Sequence, residues 1–141
     1  MVGGVALLLA LTANATNFTA RELDRAISAN YPVDAINFLR RNPVPGPLYN
    51  DLNFGGFLMW YLPQYPVAID GRNDLYGDDL DRMFYASQSA EDSYRNDPYL
   101  NDAGLVLLGS EIPLAKVLSV DPRFELIYRD GTATMYRRRQ P

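Results

Sequence analysis

The chain has 141 residues, 48% of them hydrophobic and 21% charged, with a net charge of −4. That length and composition allow one globular core and argue against disorder. There is no cysteine and no histidine, and Lys116 is the only lysine. A disulfide, a zinc site of the usual kind and a Cys–His or Ser–His dyad are therefore excluded. The acidic balance also argues against a nucleic-acid partner, because a phosphate backbone needs a basic face. The short basic run Arg137-Arg138-Arg139 reads as a solvated strand end.

Met1 to Ala13 is apolar and uncharged, but shorter than the roughly 20 residues needed to cross a bilayer. Three readings stand: the last part of a transmembrane helix that begins upstream, a signal peptide with Ala13-Asn14-Ala15 as its cleavage pattern, or a buried helix. The first two put the rest of the chain outside the cytoplasm. Asn14-Ala-Thr16 and Asn17-Phe-Thr19 match the glycosylation acceptor pattern and mark a polar linker. Thr19 and Glu22 have capping-box spacing and predict a helix over residues 20–30.

Pro32 suits the first turn of a second helix, with Val33, Ile36 and Leu39 on one face and Pro43, Pro45 and Gly46 as its stop. A short strand is expected from Leu48 to Asn50, a brief buried helix from Phe57 to Leu62, and a strand from Pro66 to Asp70. Asp78, Asp79 and Asp81 favour the amino end of a helix that continues through Leu80, Met83 and Phe84. A further helix is expected over 91–100, then a buried strand from Gly104 to Gly109 and a short helix around Ile112 to Leu118. Phe124 to Arg129 and Thr132 to Arg138 flank Asp130-Gly131, a two-residue hairpin signal. The alternation predicts an α/β fold: a three-layer, Rossmann-like, mostly parallel sheet with a carboxyl-terminal antiparallel hairpin. Residues 1–19 read as a truncated span or signal-like segment with its linker, and 20–141 as the α/β domain.

If the first three strands are parallel, their carboxyl ends form one rim, where open α/β sheets collect ligands. Asn50, Asp51, Asp70, Arg72 and Ser110 would stand there, with Asn53, Asp74 and Tyr76 close in sequence, and such groups can hydrogen-bond sugar hydroxyls or a phosphate. The candidate substrate-binding set is Asn50, Asn53, Asp70, Arg72, Asp74, Tyr76 and Ser110. No catalytic residue is assigned. The aspartates at 70, 74, 78, 79 and 81 lack EF-hand spacing and no glycine pattern makes a phosphate loop, so neither a metal nor a cofactor is expected. Trp60 reads as core, while Tyr65 and Tyr76, in turns, read as exposed.

Several segments form an ordered series: Pro32-Val-Asp-Ala-Ile-Asn-Phe-Leu39, Leu48-Tyr-Asn50, Phe54-Gly-Gly-Phe-Leu-Met-Trp60, Val67-Ala-Ile-Asp-Gly-Arg72, Asp74-Leu-Tyr-Gly77 and Phe124 to Tyr136. The series resembles the carboxyl-terminal soluble region of large bacterial polytopic membrane proteins related to dolichyl-phosphate-mannose-type (GT-C) glycosyltransferases. The Gly-Gly-aromatic and Ile-Asp-Gly-Arg elements are its specific parts. A looser likeness links Asp51-Leu-Asn-Phe-Gly55 to the Trp-Trp-Asp-Tyr-Gly motif of oligosaccharyltransferase catalytic subunits. Only the glycine is kept and both tryptophans are absent, so acceptor-peptide binding does not carry over. In GT-C proteins the catalytic carboxylates lie on loops between membrane helices. The resemblance implies a non-catalytic extracytoplasmic domain that follows the last span of a glycosyltransferase. Its partners would be the upstream transmembrane domain, the bilayer, and a glycan or lipid-linked sugar that it helps to position. The rival reading is a stand-alone secreted carbohydrate-binding module whose first fifteen residues are a signal peptide.

Overall fold

The computed structural model describes residues 19–139. The apolar run from Met1 to Ala13, on which the readings of a span or signal rest, lies outside the described residues. The chain divides into two compact units, one running to Asn30 and one beginning at Tyr31.

In the first unit, helix α1 (Ala20–Asn30) opens on the expected reciprocal cap. Glu22 N–H donates to Thr19 Oγ1 (3.2 Å), and Thr19 N–H donates back to Glu22 Oε2 (2.9 Å). These bonds from the Thr19 backbone and hydroxyl hold the Glu22 pKa below its ordinary value. No residue of α1 is buried.

The second unit opens with α2 (Val33–Arg41), β1 (Leu48–Asn50), a 3-10 turn (Leu52–Phe54) and α3 (Gly55–Tyr61). Then come α4 (Asn73–Tyr76), α5 (Asp78–Gln88), a second 3-10 turn (Asp92–Asn96) and α6 (Pro98–Asp102). It closes with β2 (Leu105–Gly109), α7 (Pro113–Leu118), β3 (Phe124–Arg129) and β4 (Ala133–Arg138). The single helix expected over 91–100 is broken at Asp97. Its buried carboxylate accepts from the backbone N–H groups of Tyr99 (2.9 Å) and Leu100 (3.1 Å), and Pro98 takes the first helical position.

Among the described residues the strands form one mixed α/β sheet in the order β1-β2-β4-β3. β1 and β2 are parallel, whereas β2–β4 and β3–β4 are antiparallel. The expectation of a mostly parallel sheet is thus corrected, because Pro66 to Asp70 joins no ladder. Pro66 has no N–H to give, and the outer edge of β1 reaches this segment through a side chain instead. Asn50 Oδ1 accepts from Ala68 N–H (2.8 Å), and Asn50 Nδ2 donates to the Ile69 carbonyl (2.7 Å). The amide of Asn50 thus offers one donor and one acceptor, as a neighbouring peptide group would.

Alternation along the strands feeds two apolar clusters. Tyr49, Val106, Leu108 and Tyr136 join Phe84 of α5, Leu100 of α6 and Leu114 and Leu118 of α7. Leu48, Leu105, Leu107 and Met135 join Ile36 and Leu39 of α2 and Leu58 of α3. Residues 105–108 are fully buried, which explains their unbroken apolar run. The β3–β4 turn spans three residues, not two. Asp130 Oδ1 accepts from both Thr132 and Ala133 N–H (2.7 Å each), closing the loop through a side chain.

Candidate functional site

Because β1 and β2 run parallel in the register Asn50↔Leu107, their carboxyl ends share one edge. Asp51 ties the two ends together. Its Oδ2 accepts from Gly109 N–H (3.1 Å), and its Oδ1 accepts from Asn53 N–H (2.9 Å) and Asn53 Nδ2 (3.2 Å). Asn50 and Asp51 are both buried, and Gln88 Nε2 donates to the Asn50 carbonyl (3.2 Å). These two residues spend their polar atoms holding the rim together.

Next along the edge is the Ile69-Asp70 backbone, which passes directly over Gly55. A Cβ on Gly55 would lie 2.3 Å from the Ile69 carbonyl oxygen and 2.6 Å from Asp70 Cα, so only glycine fits there. This close approach delivers the buried carboxylate of Asp70 to Arg72. Arg72 Nε–H is shared between Oδ1 (3.0 Å) and Oδ2 (3.1 Å), Nη2 donates to Oδ2 (2.7 Å), and the Arg72 backbone N–H donates to Oδ1 (2.9 Å). Chiefly through the Arg72 hydrogen bonds, against the cost of burial, the Asp70 pKa falls to about 2. Arg72 shifts the opposite way, held charged by Asp70. Burial and a hydrogen bond to Asp70 raise the Tyr76 pKa. The Arg72 side chain is nonetheless 58% exposed, and its Nη2 also touches Met59 Sδ at 3.8 Å. The carboxylate is structural in position, and the guanidinium is what it displays.

The other sequence candidates separate. Asn53 and Asp74 are exposed and Tyr76 is half-buried. Ser110 follows β2 but is engaged by the hairpin: its hydroxyl donates to the Asp130 carbonyl (2.8 Å) and shares a bond with Thr134 Oγ1 (3.0 Å). The structure therefore brings Asn50, Asp70, Arg72 and Tyr76 together and gives Ser110 a different set of partners.

The aromatic residues are redistributed relative to expectation. Helix α3 buries only Gly55 and Leu58, so Trp60, two positions beyond Leu58 and off that stripe, is 82% exposed and not core. Met59 and Tyr61 are also exposed. Phe57 stacks between Tyr31 (centroids 4.5 Å apart) and Tyr61 (4.2 Å). A groove of about 470 Å³ lies there, lined by Tyr31, Leu52, Asn53, Gly56, Phe57 and Gly71. Tyr65 and Tyr76, expected on the surface, are half-buried. The Tyr65 hydroxyl donates to the Val44 carbonyl (2.9 Å). The exposure of Trp60 is the feature that the sequence expectation of a core residue missed, and the four-residue spacing of Phe54 and Leu58 was the available signal.

Among the described residues no group of three or more acidic side chains could hold a metal ion. No described helix is long and apolar enough to cross a membrane. No protein-family model matches the chain, and neither a curated protein nor a solved structure matches it.

Proposed function

We propose that this chain is a non-catalytic extracytoplasmic domain of a GT-C-like membrane glycosyltransferase, and that the rim beside α3 binds or positions a glycan or lipid-linked sugar. The observation that carries the reading is the groove at that rim. Stacked Tyr31 and Phe57 and the exposed residue Asn53 line it with Gly71, the chain neighbour of the Arg72 that Asp70 pins. Aromatic faces suit the apolar faces of sugar rings, and oriented amide and guanidinium donors suit their hydroxyls or a phosphate. The carboxylates of Asp51, Asp70 and Asp97 are buried and committed to internal hydrogen bonds, which favours binding over acid–base catalysis. Apolar clusters on alternate faces of the sheet support the finer architectural reading, a three-layer arrangement with a Rossmann-like β1–β2 unit.

Trp60 is the only tryptophan, and it is exposed on the helix that borders the groove. Its fluorescence therefore reports on the helix that supplies Gly56 and Phe57 to the groove. Titration with a panel of oligosaccharides and a lipid-linked sugar is expected to give a saturable blue shift that Asn53→Ala weakens. If no glycan moves the emission of the folded protein, the proposal is wrong.

A further inference from the structure

A groove of about 700 Å³ lies at the opposite end of β2 from the rim and is basic in a protein of net charge −4. Arg137, Arg138 and Arg139 line it with Glu125, and Val44 and Pro45 form an apolar wall. Arg137 Nη2 is paired with Glu125 Oε2 at 2.7 Å. The other two guanidiniums are held by neutral backbone. Arg138 donates from Nε to the Ala103 carbonyl (2.8 Å) and from Nη2 to the Leu100 carbonyl (2.7 Å), the last turn of α6. Arg139 donates from Nε to the Phe124 carbonyl (3.1 Å), and its own N–H donates to the Arg123 carbonyl (2.9 Å).

Among the lining residues three guanidiniums stand against one carboxylate, so the groove wall is net positive; Glu125 also acts on Arg139, and Asp121 and Asp102 act on Arg138. The guanidiniums are pre-oriented, because backbone bonds fix two of the three forks. They are also crowded: the Arg123 and Arg138 guanidiniums both pack on the Phe124 ring, 5.5 and 4.8 Å from its centroid. Burial and the like charge of Arg123 lower the Arg138 pKa. A Cβ on Gly104 would lie 2.4 Å from the Pro45 carbonyl oxygen, so the two segments pass each other only because residue 104 is glycine.

We infer that this groove binds a phosphate monoester, with the dianionic phosphoryl group between Arg137, Arg138 and Arg139 and its organic body against Val44 and Pro45. The net positive lining suits the dianion, and planar guanidinium forks match phosphate oxygens bidentately. The Arg137-Arg138-Arg139 run is therefore more than a solvated strand end.

The test is titration of the isotope-labelled 141-residue chain with glycerol 3-phosphate, read by NMR at the Gly104 and Arg139 amides and the arginine Nε resonances. In parallel, co-sedimentation uses phosphatidylcholine vesicles with and without phosphatidic acid, which presents the same phosphate monoester on a lipid. Saturable shifts are expected with glycerol 3-phosphate. Arg139→Gln, which keeps the backbone bond to Arg123, should weaken binding about tenfold or more, as expected for loss of one charge-assisted contact. Arg82→Gln, on α5, should bind as the parent does. Binding to phosphatidic acid vesicles alone, lost in Arg139→Gln, supports the site and assigns its source to a lipid headgroup. No saturable response to either probe, or equal affinity in Arg139→Gln, overturns the inference.

Discussion

The sharpest test of how the rim is assembled is Asn50. Its side chain is fully buried and substitutes for a strand: a donor bond to the Ile69 carbonyl at 2.7 Å, acceptor bonds from Ala68 N–H at 2.8 Å and Ile69 N–H at 3.4 Å, and a second donor bond to the Asp51 carbonyl at 2.9 Å. Asn50→Ala removes all four, the long Ile69 N–H bond being the weakest, and leaves Ala68 N–H and the Ile69 carbonyl without their short ones. Each stranded buried group costs about 1–3 kcal/mol, and Ala68 is only half-buried, so the loss should be about 3 kcal/mol. In a domain of this size that lowers Tm by about 10 °C. Asn50→Asp is the more incisive variant. It keeps the acceptor but turns a carboxylate oxygen toward the Ile69 and Asp51 carbonyls. A buried carboxylate facing acceptors titrates above its ordinary value. The neutral acid, which can donate, is then favoured in the folded state. The stability of Asn50→Asp relative to the parent should therefore be lowest at pH 7 and recover as pH falls toward about 4. Urea denaturation followed by circular dichroism at several pH values measures both effects. An Asn50→Ala cost under about 1 kcal/mol, together with an Asn50→Asp penalty that ignores pH, would refute the reasoning that this amide tethers residues 68–70.

Two further outcomes follow from the same edge. Gly55→Ala should destabilise by about 2–3 kcal/mol, because its Cβ collides with backbone at 2.3 and 2.6 Å and backbone cannot swing aside. Gly56→Ala meets nothing within 4 Å on the same helix and should be neutral or stabilise by about 0.5–1 kcal/mol. Equal effects in chemical denaturation would show that the close approach over Gly55 is relaxed in solution. Asp70, with its pKa lowered to about 2, contributes stability that is fully present above its unfolded value and is lost as pH falls through its folded one. Arg72 is more than half exposed, so solvent screening reduces that contribution to about 1–2 kcal/mol. A carboxyl carbon NMR titration should place the Asp70 midpoint near 2, and Arg72→Ala should move it upward.

Most elements were legible because local rules and tertiary contacts agree. Thr19 and Glu22 announced the start of α1, Pro43 the stop of α2, and the apolar run at 105–108 the central strand. The failures share a cause: side chains took roles usually filled by backbone or core. Val67 to Ile69 has strand composition but bends at Ala68, and its partner is the amide of Asn50, which periodicity does not reveal. Trp60 reads as core by residue type, yet burial on a seven-residue helix is decided by position, and Leu58 holds the inward one. In the candidate site, residue types were readable but accessibility was not. Asn50 and Asp70 are polar residues at strand-end positions, and only tertiary packing reveals that they face inward while Asn53 and Arg72 face out.

The order β1-β2-β4-β3 places the last described strand in the interior of the sheet, between β2 and β3. During synthesis, β1 and β2 emerge long before the strand that must cover the second edge of β2. Leu105 to Leu108, apolar on both faces, then present an unpaired backbone edge until residue 138 has cleared the ribosome. Docking of the β3–β4 hairpin is thus a late event, and a chain that ends between residues 109 and 133 keeps that edge of β2 unpaired.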